Sequence, residues 1–280
     1  MKNNKIIVCC HKDDIFKSSD IYMPIHVGKA VTGKDLGIPG DNTGDNISIK
    51  NESYCELTGM YWAWKNLKGV DNIGLCHYGR YFDFNHIGRK HFPLSTIKTK
   101  QFDELNLDIS KEAEKWLEKG GCILAKANHQ HASLFTHYCE GHYSTDIKIL
   151  GDIIRDTLPH KYFLAFIDSL MKSNRFSPYN MFVMNWSTFD KYCNWLFTLL
   201  DNVEQKIDIS HYSPYQRRVF GYLAERMLNL YVHAEQLKVM QIPVLKISEE
   251  KETDDISLVK YAVRSLLRDF AVKVSVEIPK

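Results

Sequence analysis

The chain has 280 residues, 44% of them hydrophobic and 25% charged, the makeup of a globular protein able to bury a sizeable core. Its 36 Lys and Arg nearly cancel 34 Asp and Glu, which excludes a nucleic-acid binder built on a general basic field but leaves room for a local basic cleft. The 7 cysteines are scattered without a C-x-x-C pair, and several sit in apolar runs, so neither a disulfide framework nor a zinc site is expected.

Lys5–Cys10 is a short apolar run that ends abruptly in His11-Lys12-Asp13-Asp14, the pattern of a buried strand opening an α/β fold. The first residues lack the apolar region of a secretory signal, and no stretch reaches the roughly 18–20 apolar residues of a bilayer span. A cytoplasmic, reduced protein is the expectation. Residues 32–46 are rich in glycine and form a loop. Ser48 and Asn51 then precede a helix over Tyr54–Asn66, where Leu57, Met60, Tyr61 and Trp64 recur at helical spacing. Asn72–Cys76 is another short buried strand, running into His77-Tyr78-Gly79-Arg80-Tyr81-Phe82. A polar insertion covers about 83–108. Lys111–Lys119 is a helix closed by Gly120-Gly121, and Cys122–Ala125 is the next strand. Tyr138–Asp156 and Tyr162–Lys172 are helices, Asn180–Met184 is a buried strand, and Ser187–Leu200 is a helix with an aromatic face. Pro214 suits a helix start, and Gln216–His233 continues with helical spacing of its apolar residues. This alternation predicts an α/β fold with a largely parallel sheet, in which ligands bind beyond the carboxyl ends of the strands.

The segments DNTGDNIS, SYCELTGMYWAWKN, GLCHYGRYF, YNMFVM, YCNWLF and YQRRVFGYLAERMLN follow one another between Asp41 and Asn229. Together they resemble a bacterial family, long labelled a domain of unknown function, of capsule, exopolysaccharide and O-antigen gene clusters. The resemblance covers roughly residues 5–245. It implies a GT-A-like (Rossmann-type) nucleotide-sugar-binding fold, α/β with a mostly parallel central sheet and extra helices, over 1–245, followed by an amphipathic extension over 246–280. It also implies a glycosyltransferase, since characterised members look like glycosyltransferases and some use UDP-galactofuranose with inversion at the anomeric carbon. UDP-galactofuranose is thus the expected donor, UDP-galactose the next, and a lipid-linked oligosaccharide repeat unit the expected acceptor. One departure is visible: the family usually carries His-Tyr-Arg-Arg-Tyr-Phe where this chain has Gly79 as the third residue.

Sugar transfer needs the charge on the leaving diphosphate to be met, a base for the acceptor hydroxyl, and an oriented sugar. Many transferases of this general fold meet the first need with a DxD motif and a divalent metal. Here the corresponding position reads His77-Tyr78-Gly79-Arg80, while Asp13-Asp14 and Asp254-Asp255 are poor substitutes. No metal is required on this reading, manganese or magnesium being the ions to test. Arg80 suits a bidentate phosphate contact, with His77 and Tyr78 as further donors; structurally, the same motif could simply pack its aromatics in the core. Asp41, Asp45, Ser48 and Asn51 form a polar cluster that could wrap uracil and ribose, although Ser48 and Asn51 more readily cap the following helix. Glu56, among apolar neighbours, is either paired or poised for use, whereas Tyr61 and Trp64 are expected in the core. Asn180 is a candidate for orienting the donor sugar, or a turn residue before its strand. His11 and Arg226 complete the donor-binding set.

Glu225 matches the late acidic base of inverting relatives, its alternative being a helix carboxylate paired with a neighbouring Arg. Asp83 is the second candidate base. His129, His131, His137 and His142 match no metal-ligand pattern and are expected to be solvated or in the core. Ser257–Lys273 is a basic amphipathic segment that either rests on an anionic membrane or packs on its own domain. Two rival functions stand beside the transferase. A nucleotide-sugar hydrolase would need a carboxylate cluster for a metal-bound water, and none is evident. A non-catalytic carbohydrate- or nucleotide-sugar-binding protein of the capsule machinery is favoured by Gly79 alone.

Overall fold

Small and β-branched apolar residues hold Asn4–Cys10 (β1) in an extended strand whose last five residues, Ile6 to Cys10, are buried. The computed structural model describes residues 2–89, 91–249 and 257–277, so Asp254-Asp255 lies outside the described residues. The further strands are Tyr22–His26 (β2), Asn72–His77 (β3), Arg80–Phe82 (β4), Leu94–Ile97 (β5), Cys122–Ala125 (β6), Asn128–His129 (β7), Arg175–Phe176 (β8), Phe182–Asn185 (β9), Val239–Ile242 (β10) and Val244–Ile247 (β11). The helices are Asn51–Tyr54 (α1), Leu57–Asn66 (α2), Lys111–Glu118 (α3), Leu134–Gly141 (α4), Ser144–Thr157 (α5), His160–Phe166 (α6), Trp186–Glu204 (α7), Pro214–Arg217 (α8), Val219–Ala234 (α9) and Leu258–Glu277 (α10). No helix among the described residues is long and apolar enough to cross a membrane.

The chain forms two units. The first comprises Met1–Lys126, Tyr179–Cys193 and Lys238–Asp255; the second comprises Ala127–Pro178, Asn194–Leu237 and Ile256–Lys280.

The first unit is built on one sheet. β2, β1 and β3 run parallel, with Ile6 opposite both Tyr22 and Gly74 and Cys9 opposite His77. β6 with β10 and β5 with β11 are also parallel, but β9 lies antiparallel between β3 and β6, and β4 is antiparallel to β3 and β11. The sheet is therefore mixed, where the alternation of elements predicts a mostly parallel one. A turn as short as Tyr78-Gly79 between β3 and β4 can only reverse the chain, because a parallel partner needs a long crossover. β9 follows residues that belong to the second unit, so no crossover helix on this sheet dictates its direction.

Ile6, Val8, Cys76, Tyr81, Phe82 and Leu245 fill the core, each such side chain contributing about 1.5–3 kcal/mol by leaving water. The insertion at 83–108 is less polar than its composition suggests, since Phe84, Phe92, Phe102 and Leu107 are buried. All cysteines are free, and burial pushes the Cys10 and Cys122 thiols up to about 12, so both act as small hydrophobes. Tyr61 and Trp64 are only half-buried, because α2 turns Leu57, Met60, Trp62 and Ala63 inward instead.

The second unit is helical apart from the short β7–β8 pair. The predicted long helix over 138–156 is broken at His142-Tyr143, between α4, capped by Ser133 on the Thr136 amide, and α5. α6 continues into a wide helical turn at Ile167–Met171.

Candidate active site at the carboxyl ends of the parallel strands

The register of β1 on β3 brings the residues that follow both strands to one edge of the first unit. His11 and Tyr78 meet edge-on with ring centroids 5.1 Å apart, and the Tyr78 hydroxyl lies 3.3 Å from His11 Nε2. The Lys12 ammonium stands 5.4 Å from the Tyr78 ring centroid, and Asp14 holds it at 3.2 Å. Burial pushes the Tyr78 phenol above its ordinary range, with Lys12 pulling the other way, so the hydroxyl keeps its proton and can donate.

Tyr78-Gly79 forms the turn between β3 and β4. Gly79 has φ +71°, the left-handed region that favours glycine. His77 Nε2 carries its proton, because it donates to the Tyr179 carbonyl at 2.7 Å. The Arg80 guanidinium lies 4.8 Å from the Tyr179 ring centroid, a cation–π contact that fixes its plane.

Among the described residues, three of the six non-glycine residues with positive φ lie here, the others being His86, His91 and Gln236. Cys55, Tyr179 and Asn180 have φ of 52°, 73° and 51°, although none is glycine. Such residues cost about 1–3 kcal/mol each and cluster where geometry is needed. They flank one hydrogen bond, from Asn180 Nδ2 to Glu56 Oε1 at 2.6 Å. Asn180 is buried, and Glu56 follows Cys55 at the start of α2. The arrangement therefore joins His11, Lys12, Glu56, His77, Tyr78, Arg80, Tyr179 and Asn180.

The remaining predicted residues lie outside this group of contacts and make contacts of their own. Asp41 is fully buried; its carboxylate accepts from the Gly28 amide at 2.9 Å, the Lys29 amide at 3.1 Å and the Ser48 hydroxyl. Ser48 also accepts from the Ala30 amide at 3.1 Å, so it secures the 28–30 loop rather than capping a helix. Asn51 donates to the Cys55 carbonyl at 2.7 Å and to Thr58 at 3.0 Å, tying down the strained turn instead of acting as a cap. Asp45 is exposed and accepts from the Tyr61 hydroxyl at 3.1 Å. Asp83 is buried and accepts from the Ile87 and Gly88 amides at 2.7 and 2.9 Å, an arrangement that secures a turn. In the second unit, Glu225 pairs with Arg226 at 3.0 Å. Arg226 is buried over the Tyr138 and Phe176 rings, 3.3 Å from His137 Nδ1, and burial lowers its pKa.

Tyr179, Cys55 and His26 do not stand out in the sequence. Only the backbone reveals the first two. His26 ends β2 fully buried with neither ring nitrogen hydrogen-bonded, and burial lowers its pKa, which keeps it neutral.

Among the described residues no three His, Cys, Asp or Glu side chains gather as a metal-ion set. The donors at the end of β3 are a guanidinium, a protonated phenol and an imidazole N–H committed to a carbonyl. The carboxylates nearest to them in the arrangement are Glu56, bonded to Asn180, and Asp14, paired with Lys12.

A mixed sheet with parallel strands ending in a cluster of polar residues defines the chain as an α/β protein. The chain belongs to the DUF4422 family, a domain of unknown function, whose family model matches residues 5–236. Among solved structures it is similar to the WbbM bifunctional glycosyltransferase in its apo form, with a TM-score of 0.79 and 30% identity over 92% of this chain and 48% of that one. The chain thus spans about half the length of the WbbM chain and shares its mixed α/β fold. Comparison with curated proteins finds no match.

Proposed function

We propose that the chain is a glycosyltransferase of GT-A-like fold that moves a hexose from a nucleotide diphosphate sugar to a glycan acceptor at the cytoplasmic face of a membrane. The observation that carries this reading is the likeness to the WbbM bifunctional glycosyltransferase over 92% of the chain. UDP-galactofuranose is the proposed donor, UDP-galactose the next, and a lipid-linked oligosaccharide the proposed acceptor.

In the reaction an acceptor hydroxyl oxygen bonds to the anomeric carbon. The bond from that carbon to the diphosphate oxygen breaks, and its electron pair leaves with UDP. Arg80, with Lys12 and the Tyr78 hydroxyl, meets the charge that grows on the departing diphosphate. The proposal requires no metal for this step, with manganese and magnesium as the ions to test. Asn180, buried and bonded to Glu56, is the residue proposed to orient the donor sugar, through the carboxylate and loop that it holds. The acceptor proton passes to a carboxylate, and Glu225 is the residue proposed for it on the order of the family's motifs. Asp45 and His11 are proposed ribose and base contacts.

The test is calorimetric titration with UDP, UDP-galactose and UDP-galactofuranose, first with EDTA and then with manganese. Micromolar UDP binding that EDTA leaves unchanged supports the reading. Arg80→Ala should weaken it about 10–100-fold, the worth of a charge-assisted contact. Absence of UDP binding under both conditions would overturn the nucleotide-sugar assignment. Glu225→Gln should abolish transfer while UDP binding persists; full turnover in that variant would remove Glu225 as the base.

A further inference from the structure

α10 spans Leu258–Glu277, about 30 Å of helix at 1.5 Å per residue. One of its faces is pinned within the second unit. Asp269 pairs with His129 at 2.7 Å and with Arg175 at 3.3 Å, Arg268 donates to the His129 carbonyl at 2.8 Å, and Val272 is buried.

The opposite face is open to solvent among the described residues. Val259, Val263, Leu266, Leu267, Phe270 and Val274 are all exposed, with Val259, Leu266 and Phe270 at 72%, 68% and 67%. At 100° per residue these side chains fall in an arc of about 100°, one continuous ridge along the helix. A contiguous apolar surface of this kind marks an interaction site. Lys260, Arg264 and Lys273 border the ridge, and Asp269, on the pinned face, is the only acid between Leu258 and Val274. Beside the ridge lies an open depression of ≈ 450 Å³, lined by His131, Lys260, Val263, Arg264, Leu267 and Arg268.

The basic border selects the occupant. A second copy meeting ridge to ridge would set Lys260, Arg264 and Lys273 against their own counterparts, a like-charge arrangement that disfavours association. An anionic leaflet meets the same cations with opposite charge and covers the ridge with acyl chains.

We propose that α10 is a lipid-docking helix: its Val259–Val274 ridge enters one leaflet while Lys260, Arg264 and Lys273 meet anionic headgroups. The proposal deepens the transferase reading and rests on it for the purpose of the contact, which is to hold the site at the surface where a lipid-linked acceptor resides.

Flotation of the full chain with two kinds of vesicle tests it, one of phosphatidylcholine alone and one of phosphatidylcholine and phosphatidylglycerol in equal parts. The chain should float with the anionic vesicles, and added salt should weaken the association. Leu266→Ser combined with Phe270→Ser, both on the exposed face, should weaken partitioning about a hundredfold. Lys260→Gln with Lys273→Gln should weaken it about tenfold or more at low salt. Unchanged UDP titration and melting in all variants separates loss of docking from loss of fold. No flotation, or equal flotation of the Leu266→Ser/Phe270→Ser variant, would overturn the proposal. So would a dimer in light scattering that this variant dissolves while vesicles recruit nothing. Flotation without any UDP binding would leave α10 as assigned and sink the donor reading instead.

Discussion

Asn180 offers a direct test of the strained constellation. It is 1% exposed, has φ 51°, and donates to the Glu56 carboxylate at 2.6 Å. Asn180→Ala removes a hydrogen bond to a charged acceptor, about 1.5–3 kcal/mol. It also leaves a residue without a compensating side chain in the left-handed region, about 1 kcal/mol more. A loss of about 3 kcal/mol in a chain of this size lowers Tm by about 6–12 °C. Asn180→Gly loses the same hydrogen bond but not the conformational term, so its Tm should fall less. Asn180→Asp sets a second carboxylate beside Glu56 and should fall furthest at neutral pH. Thermal melts followed by circular dichroism give the ordering, and UDP titration on the same samples gives the consequence for binding. If Asn180→Ala melts within about 2 °C of the parent chain, or Asn180→Asp matches it, the pair does not hold these segments and the reasoning fails.

Asp83→Ala should orphan the Ile87 and Gly88 amides that it now satisfies at 2.7 and 2.9 Å. The expected loss is about 2–4 kcal/mol in urea denaturation, with UDP affinity unchanged; lost turnover at unaltered stability would instead make Asp83 a participant in the chemistry. His142, stacked 4.1 Å from the Tyr222 ring and bonded to Gln216 at 3.1 Å, has its pKa lowered to about 4, chiefly by burial. Its folded pKa lies below the unfolded value, so its contribution is fully present above about pH 6.5 and is lost as the pH falls towards 4. Allowing for solvent screening, the loss is about 1–2 kcal/mol. A His142→Phe chain should lose correspondingly less on acidification, and equal losses in the two proteins would refute the assignment.

How much of the molecule could be read beforehand depends on whether a residue acts through its side chain or its backbone. β1, β3 and β6 were legible because each is a short apolar run between polar or glycine residues, and Cys122–Ala125 has the predicted bounds. β2 was not, since Pro24 interrupts its strand signal; β1 is its one partner strand among the described residues, so Pro24 can do without an N–H at this edge. β10 and β11 are short, and their partners β6, β4 and β5 lie far off in sequence, so no local pattern announces them. His77, Tyr78 and Arg80 were identifiable as polar residues following a buried strand. Cys55 and Tyr179 were not, because nothing about a cysteine or a tyrosine foretells a left-handed backbone.

The strain itself argues that the Glu56–Asn180 arrangement is retained for what it holds. Three non-glycine residues at positive φ, at about 1–3 kcal/mol each, are a large fraction of the 5–15 kcal/mol by which domains are typically stable. Glycine takes such a backbone at no steric cost, as Gly79 does in the neighbouring turn. Here the strained Tyr179 receives the His77 N–H on its carbonyl and the Arg80 guanidinium on its ring, while Asn180 binds Glu56. Relaxing this segment would loosen the contacts that the imidazole, the guanidinium and the carboxylate make with it. Asn180→Ala should therefore lower both Tm and UDP affinity, whereas Asp83→Ala, which loosens the 83–88 turn, should lower Tm alone. The same fall in UDP affinity in both variants would mean that general loosening, rather than the strained pair, controls binding.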